Sequence, residues 1–239
     1  MINGFAKFCV LYLAPLVMLT AFLLSLFALL SPSVMLHDQV ALLTVTPSTA
    51  LTNPQGSAGD GPSVFMGALG SCSRSSFDAA VNCTVTSISP VYDTSVLPES
   101  ASSNILSAPP STAPTFIAVA ISFSFLFMIM FILVSFRHLM SGKFAEKLDS
   151  AMVHQITAWI GVFGFMVGLT AFLIVRMWFE KAIDDFNKAI IAQGDKGPHL
   201  IASAGNGFIM VWVAYAFYAI PLIASLAKIN VQATAGKGV

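Results

Sequence analysis

Four apolar stretches dominate the pattern of hydrophobic and polar positions along this 239-residue chain: residues 8–30, 113–136, 153–177 and 204–227. Each is long enough to cross a bilayer core, which takes about 20 helical residues. Polar segments separate them: a long one at 31–112, then 137–152, 178–203 and a tail at 228–239. The pattern predicts a single four-span membrane domain over 1–239, an all-α membrane protein built as a four-transmembrane-helix bundle. Lys7 before the first stretch imitates a signal peptide. The stretch exceeds the h-region length of about 7–15 residues, so a retained helix is expected.

The long polar segment has its own pattern. Residues 40–46, Val-Ala-Leu-Leu-Thr-Val-Thr, are β-branched enough for a strand. Residues 64–69 and the alternation of Val81, Cys83 and Val85 read as further short strands. Residues 47–62 and 87–114 are rich in Pro, Ser and Thr and read as connections. The prediction is a small sheet capping the bundle. In 178–203 the pattern changes to helical spacing, with Trp178, Ala182, Phe186, Ala189 and Ile190 interleaved with charged residues. The third helix is therefore expected to continue beyond the bilayer until Gly194 and Gly197-Pro198 end it. Its apolar stripe has two candidate partners, the sheet or the lipid surface, and the sheet needs a cover.

Charge sharpens this picture. Only 9% of residues are charged and 56% are hydrophobic, against about 25% charged in soluble domains. Formal net charge is +0 with no basic run, which excludes nucleic acid as a partner. The expected partners are membrane lipids, with another membrane protein or a second copy of the chain. Lys7, then Arg137, Lys143 and Lys147, then Lys228 and Lys237 flank the spans on one side. The long segment holds Arg74 against Asp38, Asp60, Asp78, Asp93 and Glu99. The positive-inside rule places both termini in the cytoplasm and 31–112 and 178–203 outside.

No Asp, Glu, Lys, Arg or His falls mid-span, where ion paths and proton relays carry such groups. His37, His138, His154 and His199 share no metal-ligand spacing. No metal, cofactor or catalytic residue is expected, and the chain reads as a non-enzyme.

Cys72 and Cys83 lie in the outside segment, where a close pair is expected to form a disulfide. The pair lacks Cys-x-x-Cys spacing and has no histidine nearby in sequence, so it reads as structural rather than redox-active. Asn82-Cys83-Thr84 is a glycosylation sequon, with the bridged cysteine in its middle either hiding or sparing the Asn. Cys9, at the inner edge of the first span, is open to palmitoylation, a small buried apolar residue being the plainer reading. Gly161, Gly164 and Gly168 put small residues on one side of the third span, for packing within the bundle or against a partner helix.

Four spans with a Gly-x-x-Gly-x-Cys…Cys signature resemble claudin-like tetraspanning proteins, and most closely the fungal Sur7/PalI family. The motif residues are Gly67, Leu69, Gly70, Cys72 and Cys83, with Tyr92-Asp93 a looser match. The tryptophan that animal claudins carry early in this loop is absent; Trp159, Trp178 and Trp212 all lie later. The resemblance implies a disulfide-pinned extracellular sheet and a plasma-membrane organiser acting in cortical membrane domains, cell-wall integrity, endocytosis or stress tolerance. The same signature is similar to that of Fig1-type proteins, which implies a regulator of calcium influx and mating fusion, with Asp60, Asp78 and Asp93 drawing cations. An accessory subunit of a membrane-embedded enzyme making wall polymer or lipid is a third expectation.

Overall fold

The computed structural model describes residues 12–51, 59–101, 106–140, 142–148, 150–194 and 197–235. The long helices are α1 (Ala14–Leu30), α2 (Thr112–Ser135), α4 (Ala151–Gln193) and α5 (Gly207–Ala235), with a short α3 (Lys143–Leu148). Five strands lie among the described residues: β1 (Leu43–Pro47), β2 (Ser63–Met66), β3 (Ser71–Arg74), β4 (Asn82–Cys83) and β5 (Leu200–Ala204). They sort into two compact units. One comprises residues 1–26, 116–170 and 212–239, the other 27–115 and 171–211.

The first unit is helical. Three helices, α2, α4 and the stretch Gly207–Ile229 of α5, are long and apolar enough to cross a membrane. The described part of the first apolar stretch forms α1, a shorter helix of 17 residues; its expected start at residue 8 and Cys9 lie outside the described residues. All four helices contribute to one core. Met18 and Ala21 of α1, Phe127 and Phe131 of α2, and Tyr218 and Leu222 of α5 are buried there, with Ile160 and Phe165 of α4 packed against them. Large apolar side chains such as Leu16, Phe116, Trp159 and Ile223 point outward instead, each more than half exposed. That reversal of the soluble pattern suits a lipid solvent.

Hydroxyls within these apolar helices need a partner, because hydrocarbon offers none. Three of them return to the preceding turn: Ser122 to the Ala118 carbonyl, Ser124 to Ala120 and Thr157 to Val153, at 2.8–2.9 Å.

The three glycines of α4 face neighbouring helices of the same unit. A side chain at Gly161 would meet the Phe127 ring and Leu222. At Gly164 it would meet the Tyr218 hydroxyl and the α2 backbone at Ser124, and at Gly168 the Tyr215 hydroxyl and Ala120. The missing Cβ atoms make room for two tyrosines. Tyr218 donates its hydroxyl to the Gly161 carbonyl at 3.1 Å and stacks on Phe165 at 5.7 Å.

The second unit holds an antiparallel sheet in the order β4-β3-β2-β1-β5. Two strands were not legible in the sequence. β3 is the serine-rich Ser-Cys-Ser-Arg, which lacks an apolar alternation. β5 comes from the end of 178–203, a segment that read as helix and loop, and takes Ala204 from the expected fourth span, whose helix starts instead at Gly207; it pairs with β1 from Leu43↔Ala204 to Pro47↔Leu200. Sequence separation hides such a pairing.

The helical rod is present. α4 runs 43 residues, roughly 65 Å at 1.5 Å per residue and so about twice a bilayer core. Gly194 follows it with φ 60°, the left-handed conformation that ends helices. Ala182, Phe186 and Ile190 of the expected stripe are buried within the unit and Ala189 half-buried, whereas Trp178 is 39% exposed and its neighbour Phe179 is buried in its place. Asn187 beside the stripe donates to the Ala202 carbonyl and accepts from the Ala202 N–H, both at 2.9 Å. One amide side chain thereby covers the open edge of β5, as a further strand would.

We expect Gly168→Val to lower the stability of the detergent-solubilised protein by about 1–3 kcal/mol through overpacking. Met166→Leu on the outward face, 56% exposed, should leave it unchanged. Thermal unfolding followed by circular dichroism distinguishes the two.

Candidate functional site: the disulfide-closed glycine loop

The loop that carries the Gly-x-x-Gly-x-Cys signature is the hairpin between β2 and β3. The Gly67 N–H donates to the Gly70 carbonyl at 2.9 Å, which closes the turn around Ala68 and Leu69. Neither glycine takes a left-handed backbone; positive φ among described glycines is confined to Gly61, Gly142 and Gly194. Their requirement is space. A Cβ on Gly67 would strike the Ser31 carbonyl and the Pro32 ring, and one on Gly70 would press on the Thr84 hydroxyl and Ser33. The chain leaving α1 therefore lies directly against the hairpin backbone. Only glycine permits an approach this close.

Further bonds hold the loop from its other side. Tyr92 donates its hydroxyl to the Gly67 carbonyl at 2.6 Å, and the Ser87 N–H donates to the Leu69 carbonyl at 2.9 Å. Burial raises the Tyr92 pKa, so its hydroxyl stays a donor throughout the accessible range. Its ring stacks on Phe179 at 6.5 Å.

Cys72 and Cys83 are direct cross-strand partners in β3 and β4, and they are joined as the sequence predicts. Cys72 is buried and Cys83 exposed. Closing this short loop contributes about 2–3 kcal/mol on the chain-entropy account, which matters for β4, a strand of only two residues. Asn82 is exposed beside the bridge. The hydroxyl of Thr84, third residue of the sequon, is held by the Ser71 N–H and carbonyl at 2.9 and 3.2 Å.

One expectation about this pair is corrected. No histidine is near it in sequence, yet His37 reaches it in space. The His37 Nδ1 lies 3.3 Å from Cys83 Sγ, 3.9 Å from Cys72 Sγ and 2.7 Å from the Pro32 carbonyl oxygen. Separations of 46 and 35 residues leave no local spacing to read. Leu36, just before it, has φ 57°, an uncommon conformation for a residue with a branched side chain. The turn it makes is held by Gln39 and Val40 N–H groups donating to its carbonyl.

Four charged residues of the loop, Asp38, Asp60, Arg74 and Asp93, are engaged within the chain. Arg74 lies over the Phe65 and Phe77 rings at 5.3 and 4.9 Å, and 3.8 Å from Asp38. Asp60 accepts from the Phe77 N–H at 2.7 Å. Asp93 accepts from the Ser95 N–H at 3.0 Å and the Ser73 hydroxyl at 3.3 Å. Bonds from the Ser95 side chain and backbone, foremost, hold its carboxyl below the ordinary 3.8. Two of the three acids expected to draw cations thus serve as local acceptors.

No protein-family model matches this chain, and no curated protein matches it either. The chemistry of the loop rests on its own geometry.

Gly67→Ala is expected to cost at least about 1–3 kcal/mol, because the Ser31 carbonyl is backbone and the Pro32 ring is closed onto it, so neither can swing aside. Tyr92→Phe should cost about 1 kcal/mol, the worth of one buried hydrogen bond. Unfolding midpoints of the two variants, measured side by side, check that order. Asp93 adds a pH dependence. A lowered folded-state pKa stabilises above the unfolded value and loses that effect as pH falls through the folded one. Stability should therefore drop below about pH 3.8, and a titration of Asp93→Asn should lack that component.

Proposed function

We propose that this chain is a four-span, claudin-like organiser of the plasma membrane, of the Sur7/PalI kind. In this reading both termini are cytoplasmic, 31–112 and 178–203 are extracellular, and the protein acts in cortical membrane domains by holding a neighbouring membrane protein or a second copy of itself. The observation that carries the reading is the signature loop, in which the glycines and cysteines each have a packing or covalent role. Gly67 and Gly70 admit the chain that leaves α1, and Cys72 and Cys83 lock the strand beside it. Such a loop is a rigid platform for contact.

The surface around it supports a contact role. Phe77, Val85, Ile88 and Val91 are all exposed, Val85 by 89%, in the segment between β3 and α2. Apolar side chains gathered on one segment of an outside loop suit a protein partner better than water. The outward apolar side chains of α2, α4 and α5 suit membrane lipid.

Live-cell imaging of the tagged full chain tests the proposal. Fluorescence gathered in discrete plasma-membrane patches is the expected result. Diffuse surface signal, or signal held in internal membranes, would count against it.

A further inference from the structure

Among the described residues, one group of three side chains is placed to hold a metal ion: His37, Cys72 and Cys83, whose donor atoms all lie within 4.8 Å of one another. In the folded, oxidised chain the two sulfurs are bonded to each other and are not available as ligands. We propose that reduction of this disulfide converts the loop into a binding site for Zn²⁺, with Cys72 Sγ, Cys83 Sγ and His37 Nδ1 as ligands. The site is thus exclusive to the reduced state, and it goes beyond the organising role proposed above.

The geometry favours a thiophilic ion. Tetrahedral Zn²⁺ takes sulfur at about 2.3 Å and imidazole nitrogen at about 2.0–2.1 Å, so two sulfur ligands sit about 3.8 Å apart. The sulfurs, cross-strand partners with Cα atoms 4.0 Å apart, reach that separation by side-chain rotation once the bond is broken. The His37 nitrogen is already 3.3 and 3.9 Å from them, close to the spacing between ligands on one ion. Two thiolates and an imidazole are the donor set that selects zinc over calcium or magnesium. Cys83 and His37 are exposed, so the ion has a way in and a water completes its fourth position. The left-handed turn at Leu36 is what aims the imidazole at the pair.

The chemistry balances with a dithiol as reductant. Its two sulfurs become a disulfide, the Cys72–Cys83 bond takes the two electrons, and each cysteine gains a proton. Zn²⁺ then displaces both thiol protons into solvent. His37 binds as the neutral ring, its proton carried on Nε2 while Nδ1, which donates to the Pro32 carbonyl in the oxidised state, turns its lone pair to the metal.

The test uses the purified full chain in detergent, reduced with a water-soluble phosphine and titrated with Co²⁺, then Zn²⁺. The reduced wild type should develop a thiolate-to-cobalt charge-transfer band that Zn²⁺ abolishes, and the oxidised protein should not. His37→Ala, which keeps both cysteines, should weaken Zn²⁺ binding at least about ten-fold, the scale of losing one interaction of 1.4 kcal/mol. His199→Ala, another exposed histidine, should bind like wild type. Absence of the band in the reduced protein would overturn the proposal. So would equal Zn²⁺ affinity in His37→Ala and wild type, the result expected if reduction merely unfolds the loop and frees two thiols.

Discussion

The close approach of Gly67 to the Ser31 carbonyl and Pro32 ring sets the terms for the whole sheet unit. A backbone can lie that near another only where no Cβ intervenes. Once it does, the chain leaving α1 has a defined course along the β2–β3 hairpin, and the neighbouring features follow. Ser33 meets Gly70 and Thr84, and His37 meets the disulfide. Tyr92 returns from 25 residues downstream to bond the same glycine's carbonyl. The disulfide adds a covalent tie to β4, a strand of only two residues, beside the Thr84 N–H and hydroxyl bonds to Ser71 that hold the same end of the chain.

Small residues play a related part in the helical unit, for a different physical reason. In hydrocarbon, apolar contact between helices gains little over contact with lipid, so close packing and hydrogen bonds decide association. Gly161, Gly164 and Gly168 let Tyr215 and Tyr218 of α5 and the α2 backbone come near, and the Tyr218 hydroxyl finds the Gly161 carbonyl. Both units therefore use absent side chains to admit specific neighbours. In the sheet unit Gly67 admits backbone and Gly70 the small side chains of Ser33 and Thr84; in the helical unit the neighbours are chiefly aromatic side chains.

Edges and polar groups are also managed by single residues. Asn187 occupies both polar groups of Ala202 on the open side of β5, and Asn206, two residues past that strand, donates to the Gln39 carbonyl at 2.7 Å. Neither asparagine stands out in the sequence, because nothing local distinguishes a strand-covering amide from a solvated one. Asp60 and Asp93 make the opposite point. Their charge is plain in the sequence, but their use as acceptors for Phe77, Ser73 and Ser95 depends on turns that only the fold forms.

The sequence by itself determined the apolar helices, the continuation of α4 to Gln193 and the pairing of Cys72 with Cys83. These follow from hydropathy, helical period and the scarcity of cysteines, all of which are properties of residues near one another along the chain. Tertiary structure decided the rest. It brought β5 to β1, placed Tyr215 and Tyr218 over the α4 glycines, and set His37 against a disulfide 35 and 46 residues away. Those contacts join distant segments, and their existence depends on shape and close packing rather than on any period or spacing.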